Sequence, residues 1–245
     1  MTFTTRPEIR GTFGVATSTH WIASAVGMSI LERGGNAFDA AVATAITLQV
    51  VEPHLNGPAG DMPAIFLKAG EDVQVVCAQA PAPAGATLEH YRAQNLTLIP
   101  GSGLLATVIP GAFDGWMLML RDHGTMSLRD VLTHAIDYAR DGHPMLPRVA
   151  NTIAGLADYF AEHWPTSAAV WTPNGKAPAA NALFKNPDLA DTYDRLVTEG
   201  EAAGDDRIAQ IDAARRAWSE GFVADAIDAY VQTANVMDVS NEKHM

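Results

Sequence analysis

Any chemistry in this chain must come from eight histidines, one cysteine, scattered acids and two glycine-rich stretches. The histidines are His20, His54, His90, His123, His134, His143, His163 and His244. None falls in a His-Glu-x-x-His pattern and no cysteine pair accompanies them, so neither a metal site nor a cofactor is expected. His54 is the one to watch, because it lies in the run Glu52-Pro53-His54-Leu55-Asn56-Gly57-Pro58-Ala59-Gly60-Asp61. It reads first as a residue that packs or caps there. The same run lacks the lysine of a phosphate-binding loop and the spacing of a dinucleotide fingerprint. Its glycines either offer backbone N–H groups to an anion or oxyanion, or form a plain tight connection. Gly101-Ser102-Gly103 lacks the frame of a Gly-x-Ser-x-Gly elbow and reads as a loop. Glu52 and Asp61 are candidates for acid–base work, but among 28 acidic residues such a pair says little. Cys77 ends the apolar run Val73-Gln74-Val75-Val76-Cys77 and is expected to be a buried structural cysteine. Thr2 would become N-terminal on loss of Met1 and could then use its own amine as a base. Its polar, frayed setting argues against that role.

The elements that must position these groups are organised around Ile22 to Gly60. Ile22, Val26 and Ile30 recur every four residues and give one helix an apolar face. Gly34 and Gly35 stop it. Asn36 caps the next helix, with Asp39 three residues on as its capping-box partner. That helix is rich in alanine (Ala37, Ala40, Ala41, Ala43, Ala45), which lets a neighbour come close. Pro53 ends regular helix. Thr12–Thr17 reads as a first strand, Ala64–Lys68 and Val73–Cys77 as a hairpin about Gly70-Glu71-Asp72, and Leu104–Ile109 as a buried strand. Helices are expected at Leu88–Ala93, Ala112–His123, after the Ser127/Asp130 cap to Gly142, and Arg148–His163, ending before Pro165. Thr172-Pro173-Asn174-Gly175 is a turn. Asn186-Pro187 opens a further helix, and Ile208–Ser219 and Val223–Val231 close the series. Glu199–Asp206 reads as a variable surface loop.

The chain of 245 residues carries 48% hydrophobic and 18% charged residues, which excludes disorder. Its net charge of −12 is dispersed and disfavours nucleic acid and anionic membrane as partners. No apolar run reaches the ~18 residues of a membrane span. The first residues show no apolar signal segment, so a cytoplasmic location is expected. No linker or repeat stands out, and residues 1–245 read as one domain or part of one.

Several ordered blocks resemble the γ-glutamyltranspeptidase family. The most specific is Gly34-Gly35-Asn36-Ala37-Phe38-Asp39-Ala40-Ala41-Val42-Ala43. The glycine-rich run Glu52–Asp61, Ala82-Pro83-Ala84-Gly85-Ala86-Thr87, and Val108-Ile109-Pro110-Gly111 through Gly115-Trp116 follow in order. So do His123-Gly124-Thr125-Met126-Ser127-Leu128, Ala139-Arg140-Asp141-Gly142 and Gly221-Phe222-Val223-Ala224. The resemblance covers roughly Gly14 to Met245.

This resemblance implies an N-terminal nucleophile hydrolase of α/β (α+β) class: a four-layer α/β/β/α sandwich, helix-rich in this segment. It implies a precursor that cuts itself, freeing a threonine that opens the small subunit and attacks an amide such as glutathione. Family precursors are about twice this length, so residues 1–245 are expected to be a single-domain fragment, the N-terminal large-subunit part. The catalytic threonine would lie in a C-terminal small-subunit half that acts as partner, with a small-molecule amide as substrate. The family arginine that grips the substrate α-carboxylate falls at Gln79 here. A neutral amide cannot replace a bidentate arginine–carboxylate pair. That position points towards acylase- or amidase-like relatives, and three readings stay open: a γ-glutamyl amidohydrolase or acyltransferase, an acylase for cephalosporin-like or other non-glutamyl amides, and a non-catalytic remnant or binding module.

Overall fold

The computed structural model describes residues 8–244; Thr2 lies outside them. Two helices open the fold, α1 (Trp21–Glu32) and α2 (Ala37–Val51). Ile22, Val26 and Ile30 are buried as their spacing predicts. Gly34, at φ +92°, makes the turn between the helices, a conformation that costs other residues a Cβ clash. The two helices pack closely because Gly27 has no side chain. A Cβ there would lie 2.3 Å from the Thr44 hydroxyl and 3.0 Å from Ala16 Cβ.

The expected hairpin forms as β1 (Met62–Phe66) antiparallel to β2 (Gln74–Ala78), with Met62 opposite Ala78 and Phe66 opposite Gln74. Period-two alternation turns Met62, Ala64, Phe66, Val76 and Ala78 inward and Ile65, Val73 and Val75 outward. Cys77 shares the outer parity and is exposed, which corrects its expected burial. Helix α3 (Leu88–Ala93) follows, capped by Thr87.

Two expected strands are absent. Residues 12–17 carry no ladder, and Leu104–Ala106 forms a 3₁₀ turn followed by irregular chain through Ile109. β-prone residues make a strand only where a neighbour supplies partners, and none does so at either place among the described residues. The Ile109 N–H goes instead to the Pro81 carbonyl at 3.0 Å.

Helices α4 (Ala112–His123) and α5 (Leu128–Asp141) match their expected bounds. Then come β3 (His143–Pro144), α6 (Pro147–His163) and α7 (Pro165–Trp171). Pro165 ends α6 but also opens α7, since proline suits a first helical position. The turn at Thr172–Gly175 forms, closed by Gly175 N–H to the Thr172 carbonyl at 2.8 Å. Next are β4 (Leu183–Phe184), paired with β3, and α8 (Pro187–Glu201), capped by Asn186. Helix α8 takes the first part of the expected Glu199–Asp206 loop. The chain closes with α9 (Arg207–Ser219), α10 (Phe222–Val231) and a short ladder of β5 (Val236–Met237) with β6 (Lys243–His244).

The main core joins α1, α2, α4, α5, α8 and α9 with the inner hairpin face. Tyr193, fully buried, donates to Gln49 Oε1 at 2.6 Å, and burial pushes its hydroxyl well above the ordinary tyrosine pKa. A separate, smaller core lies under α6 and α7, built from Met145, Val149, Ala150, Ile153 and Phe184.

Candidate functional site

Gln79 follows the last residue of β2, and the structure fixes that point through two glycines of α4 and its N-terminus. A Cβ at Gly111 would lie 2.6 Å from the Ala78 carbonyl oxygen and 3.1 Å from Ala80 Cβ. One at Gly115 would lie 2.3 Å from Ala78 Cβ. Helix α4 therefore lies directly on residues 78 and 80, the neighbours of Gln79 on either side. The Gln79 side chain is exposed, and its Oε1 accepts a weak hydrogen bond from Cys77 Sγ at 3.5 Å.

The glycine-rich run packs into the same corner. The amides of Ala112 and Phe113, which open α4, donate to the carbonyls of Gly60 (2.8 Å) and Pro58 (3.1 Å). Gly60 N–H closes on the Gly57 carbonyl at 3.1 Å. These bonds hold loop, hairpin and helix together, and of the loop's own amides that of Gly60 is spent on a tight turn. Asp61 is exposed where the loop enters β1.

Glu52 has a different fate. It caps the end of α2, is 1% exposed, and accepts from Arg148 Nη2 at 2.5 Å and from the Thr19 hydroxyl. His54, half-buried nearby, has its pKa held below the ordinary histidine value by burial first, then by Arg148, against the pull of Glu52. Ser102 lies in a loop with no elbow, its hydroxyl buried and unpartnered. Among the described residues no group of three histidine, cysteine or acidic side chains is placed to hold a metal.

The signature residue Asp39 turns out to be structural. It is fully buried and takes four hydrogen bonds. Oδ1 accepts from the amides of Thr125 (2.8 Å) and Met126 (3.0 Å). Oδ2 accepts from the Asn36 amide (2.8 Å) and the Thr125 hydroxyl (2.8 Å). Asn36 Nδ2 donates to the His123 carbonyl at 2.7 Å. Gly124 leaves the room for this: a Cβ there would sit 2.5 Å from Asp39 Oδ1. The capping box was legible in the sequence, but the clamp across 86 residues to Thr125 was not. Sequence reasoning also missed the Glu52–Arg148 pair and the buried Asp238–His244 pair, joined at 2.7 Å.

The family model described as Gamma-glutamyltranspeptidase matches residues 23–237. Among curated proteins, the glutathione hydrolase-like YwrD proenzyme of Bacillus subtilis strain 168 is 34% identical over 198 residues, covering 80% of this chain and 37% of that relative. The oxamate amidohydrolase proenzyme of Klebsiella pneumoniae is 33% identical, covering 77% and 36%. The acylase ACY 1 proenzyme of Pseudomonas sp. strain SE83 is 34% identical, covering 79% and 36%. Among solved structures, LmbA2991HD superposes with a TM-score of 0.94 at 53% identity, over 99% of this chain and 42% of its own. The γ-glutamyltranspeptidase of Helicobacter pylori gives 0.80 at 26% identity, over 92% and 62%. The helix-rich α+β class expected from the sequence is the class these structures share. The chain spans little more than a third of the length of the curated relatives it matches. Among the described residues no helix is long and apolar enough to cross a membrane.

Proposed function

Because the chain belongs to the γ-glutamyltranspeptidase family, we propose that it is the large-subunit part of an amidohydrolase or acyltransferase acting on small amides. Its relatives carry the word proenzyme in their names and are far longer. On this reading a C-terminal half of the same precursor docks against the hairpin and contributes the threonine nucleophile. The threonine hydroxyl attacks the amide carbon, with its own amine taking the proton. The C–N bond breaks, the amine leaves with a proton, and water or another amine takes the acyl group.

What this chain contributes is the acyl-binding side. The carrying observation is Gln79: an exposed amide at the end of β2, on a backbone fixed by Gly111 and Gly115. A rigid strand end is a good platform for a binding group, because its position does not have to be organised when substrate arrives. Glutamine offers that substrate neutral hydrogen bonds only. The preferred acyl group is therefore one without the α-carboxylate of a γ-glutamyl donor, and a relative named acylase fits that preference. A γ-glutamyl amide such as glutathione is the second reading, favoured by relatives named glutathione hydrolase.

The test is a donor panel on the full-length protein: a γ-glutamyl anilide, its analogue lacking the α-carboxylate, and a cephalosporin side-chain amide. The expected result is cleavage of the carboxylate-free donors at a kcat/KM at least equal to that of the γ-glutamyl anilide. Failure to cleave any of them would remove the amidohydrolase reading and favour a binding module.

A further inference from the structure

The small core under α6 and α7 is joined to the main body through a polar seam. Helix α6 packs mainly on α7, and its core is separate from the large one. At the seam, Arg148 on α6 reaches Glu52 at the end of α2; His143 on β3, 1% exposed, lies within electrostatic reach of His20. His20, the cap of α1, is also 1% exposed. Its Nδ1 accepts the Ile22 amide at 3.1 Å, which fixes the neutral ring with its proton on Nε2.

Buried ring nitrogens here are short of partners: His20 Nε2 and His54 Nδ1 have none, and His143 has at most the Tyr138 backbone carbonyl. Buried polar atoms are ordinarily satisfied, so such a cluster needs an explanation. Its cost is smallest while all three rings are neutral, because a buried imidazolium would be desolvated and, at His20 and His54, also repelled by Arg148.

We propose that His20, His54 and His143 make the Glu52–Arg148 seam a proton-operated joint, which holds the α6–α7 lobe at neutral pH and frees it on mild acidification. The groups facing the joint are His20 from α1, Glu52 from α2, His54 from the glycine-rich loop, His143 from β3 and Arg148 from α6. On the β4 side, the Lys185 stem runs past Gly142.

Burial is the leading cause that depresses all three histidines. Glu52 opposes it at His20 and His54, Arg148 adds to it at both, and the Tyr138 backbone opposes it at His143. The closed joint therefore binds fewer protons than an open one, whose histidines titrate near the ordinary value of about 6.5. Closure is fully favoured above that value and is lost progressively as pH falls below it. Each histidine that gains a proton on opening shifts the balance by on the order of tenfold per pH unit below its ordinary pKa. Because Glu52 and His54 begin the loop that feeds β1, opening the joint would also loosen the hairpin that carries Gln79.

Hydrogen–deuterium exchange of the full-length protein tests this, read at about pH 8 and about pH 5.5 and corrected for intrinsic exchange rates. Amides between residues 145 and 184 should exchange at least about tenfold faster at the lower pH, while the interiors of α1 and α2 change much less. His143→Phe should reduce that response by about tenfold; if it does not fold, His54→Asn should do the same. A lobe no more sensitive to pH than α1 and α2, or a wild-type response in the folded variant, would overturn the joint.

Discussion

Replacing Asp39 by asparagine tests whether the most specific block of this sequence serves architecture. The carboxylate takes four donors, two on each oxygen. An amide must turn its NH₂ towards one pair. Facing Thr125 and Met126 it would meet two backbone N–H groups that cannot turn away. Facing Asn36 and the Thr125 hydroxyl it meets one fixed donor and one rotor that can reverse. The second arrangement is the milder, and the variant should adopt it. It loses the Asn36 bond and the charge that strengthened the other three. Hydrogen bonds to charged groups contribute about 1.5–3 kcal/mol and neutral ones about 1, so the expected loss is about 3 kcal/mol. Asp39→Ala leaves all four donors without this partner and should cost more, about 4–5 kcal/mol. Thermal unfolding of the full-length protein, followed by circular dichroism, should show an apparent Tm lower by about 6 °C for the asparagine variant. A loss below about 1 kcal/mol, or an alanine variant as stable as the asparagine one, would refute the clamp.

Other outcomes follow from the proposed C-terminal half. The purified 245-residue chain should not turn over a chromogenic γ-glutamyl anilide above a no-enzyme control; measurable turnover would place a nucleophile within it. The same chain should self-associate or dissolve poorly, because Ile65, Val73 and Val75 lie outward on a two-stranded hairpin whose outer edges meet no further strand among the described residues. A monodisperse monomer in light scattering, with one cooperative melting transition, would contradict that.

The helices were legible because their signals are local. Asn36 with Asp39, Ser127 with Asp130, and Asn186 before Pro187 each lie within one turn of the end they mark, and each forms the predicted cap. The strands were legible only where two runs could pair with each other, as around Gly70. Residues 12–17 and 104–109 have the composition of strands, but composition supplies no neighbour. Cys77 was misjudged because an apolar run does not reveal which parity faces the helix; Gly115 against Ala78 decides that. Helix α7 was missed because Pro165 was read as a stop and not also as a start. The contacts furthest from legibility are those between distant side chains. Glu52 meets Arg148 across 96 residues, and nothing in either neighbourhood announces it. Gln79 is singled out only by the resemblance to a family, and its geometry, an exposed amide on a glycine-fixed strand end, belongs to the structure.

The central claim, that Gln79 faces the acyl group of an amide substrate, is most directly tested by Gln79→Arg in the full-length protein. Arginine would offer a forked cation where glutamine offers neutral hydrogen bonds. The difference, between about 1.5–3 and about 1 kcal/mol, corresponds to on the order of tenfold. The measurement is the ratio of kcat/KM for a γ-glutamyl anilide to that for its analogue lacking the α-carboxylate. The account predicts that this ratio rises on the order of tenfold in the variant. An unchanged ratio, in a variant that still folds and cleaves the carboxylate-free donor, would remove Gln79 from the site.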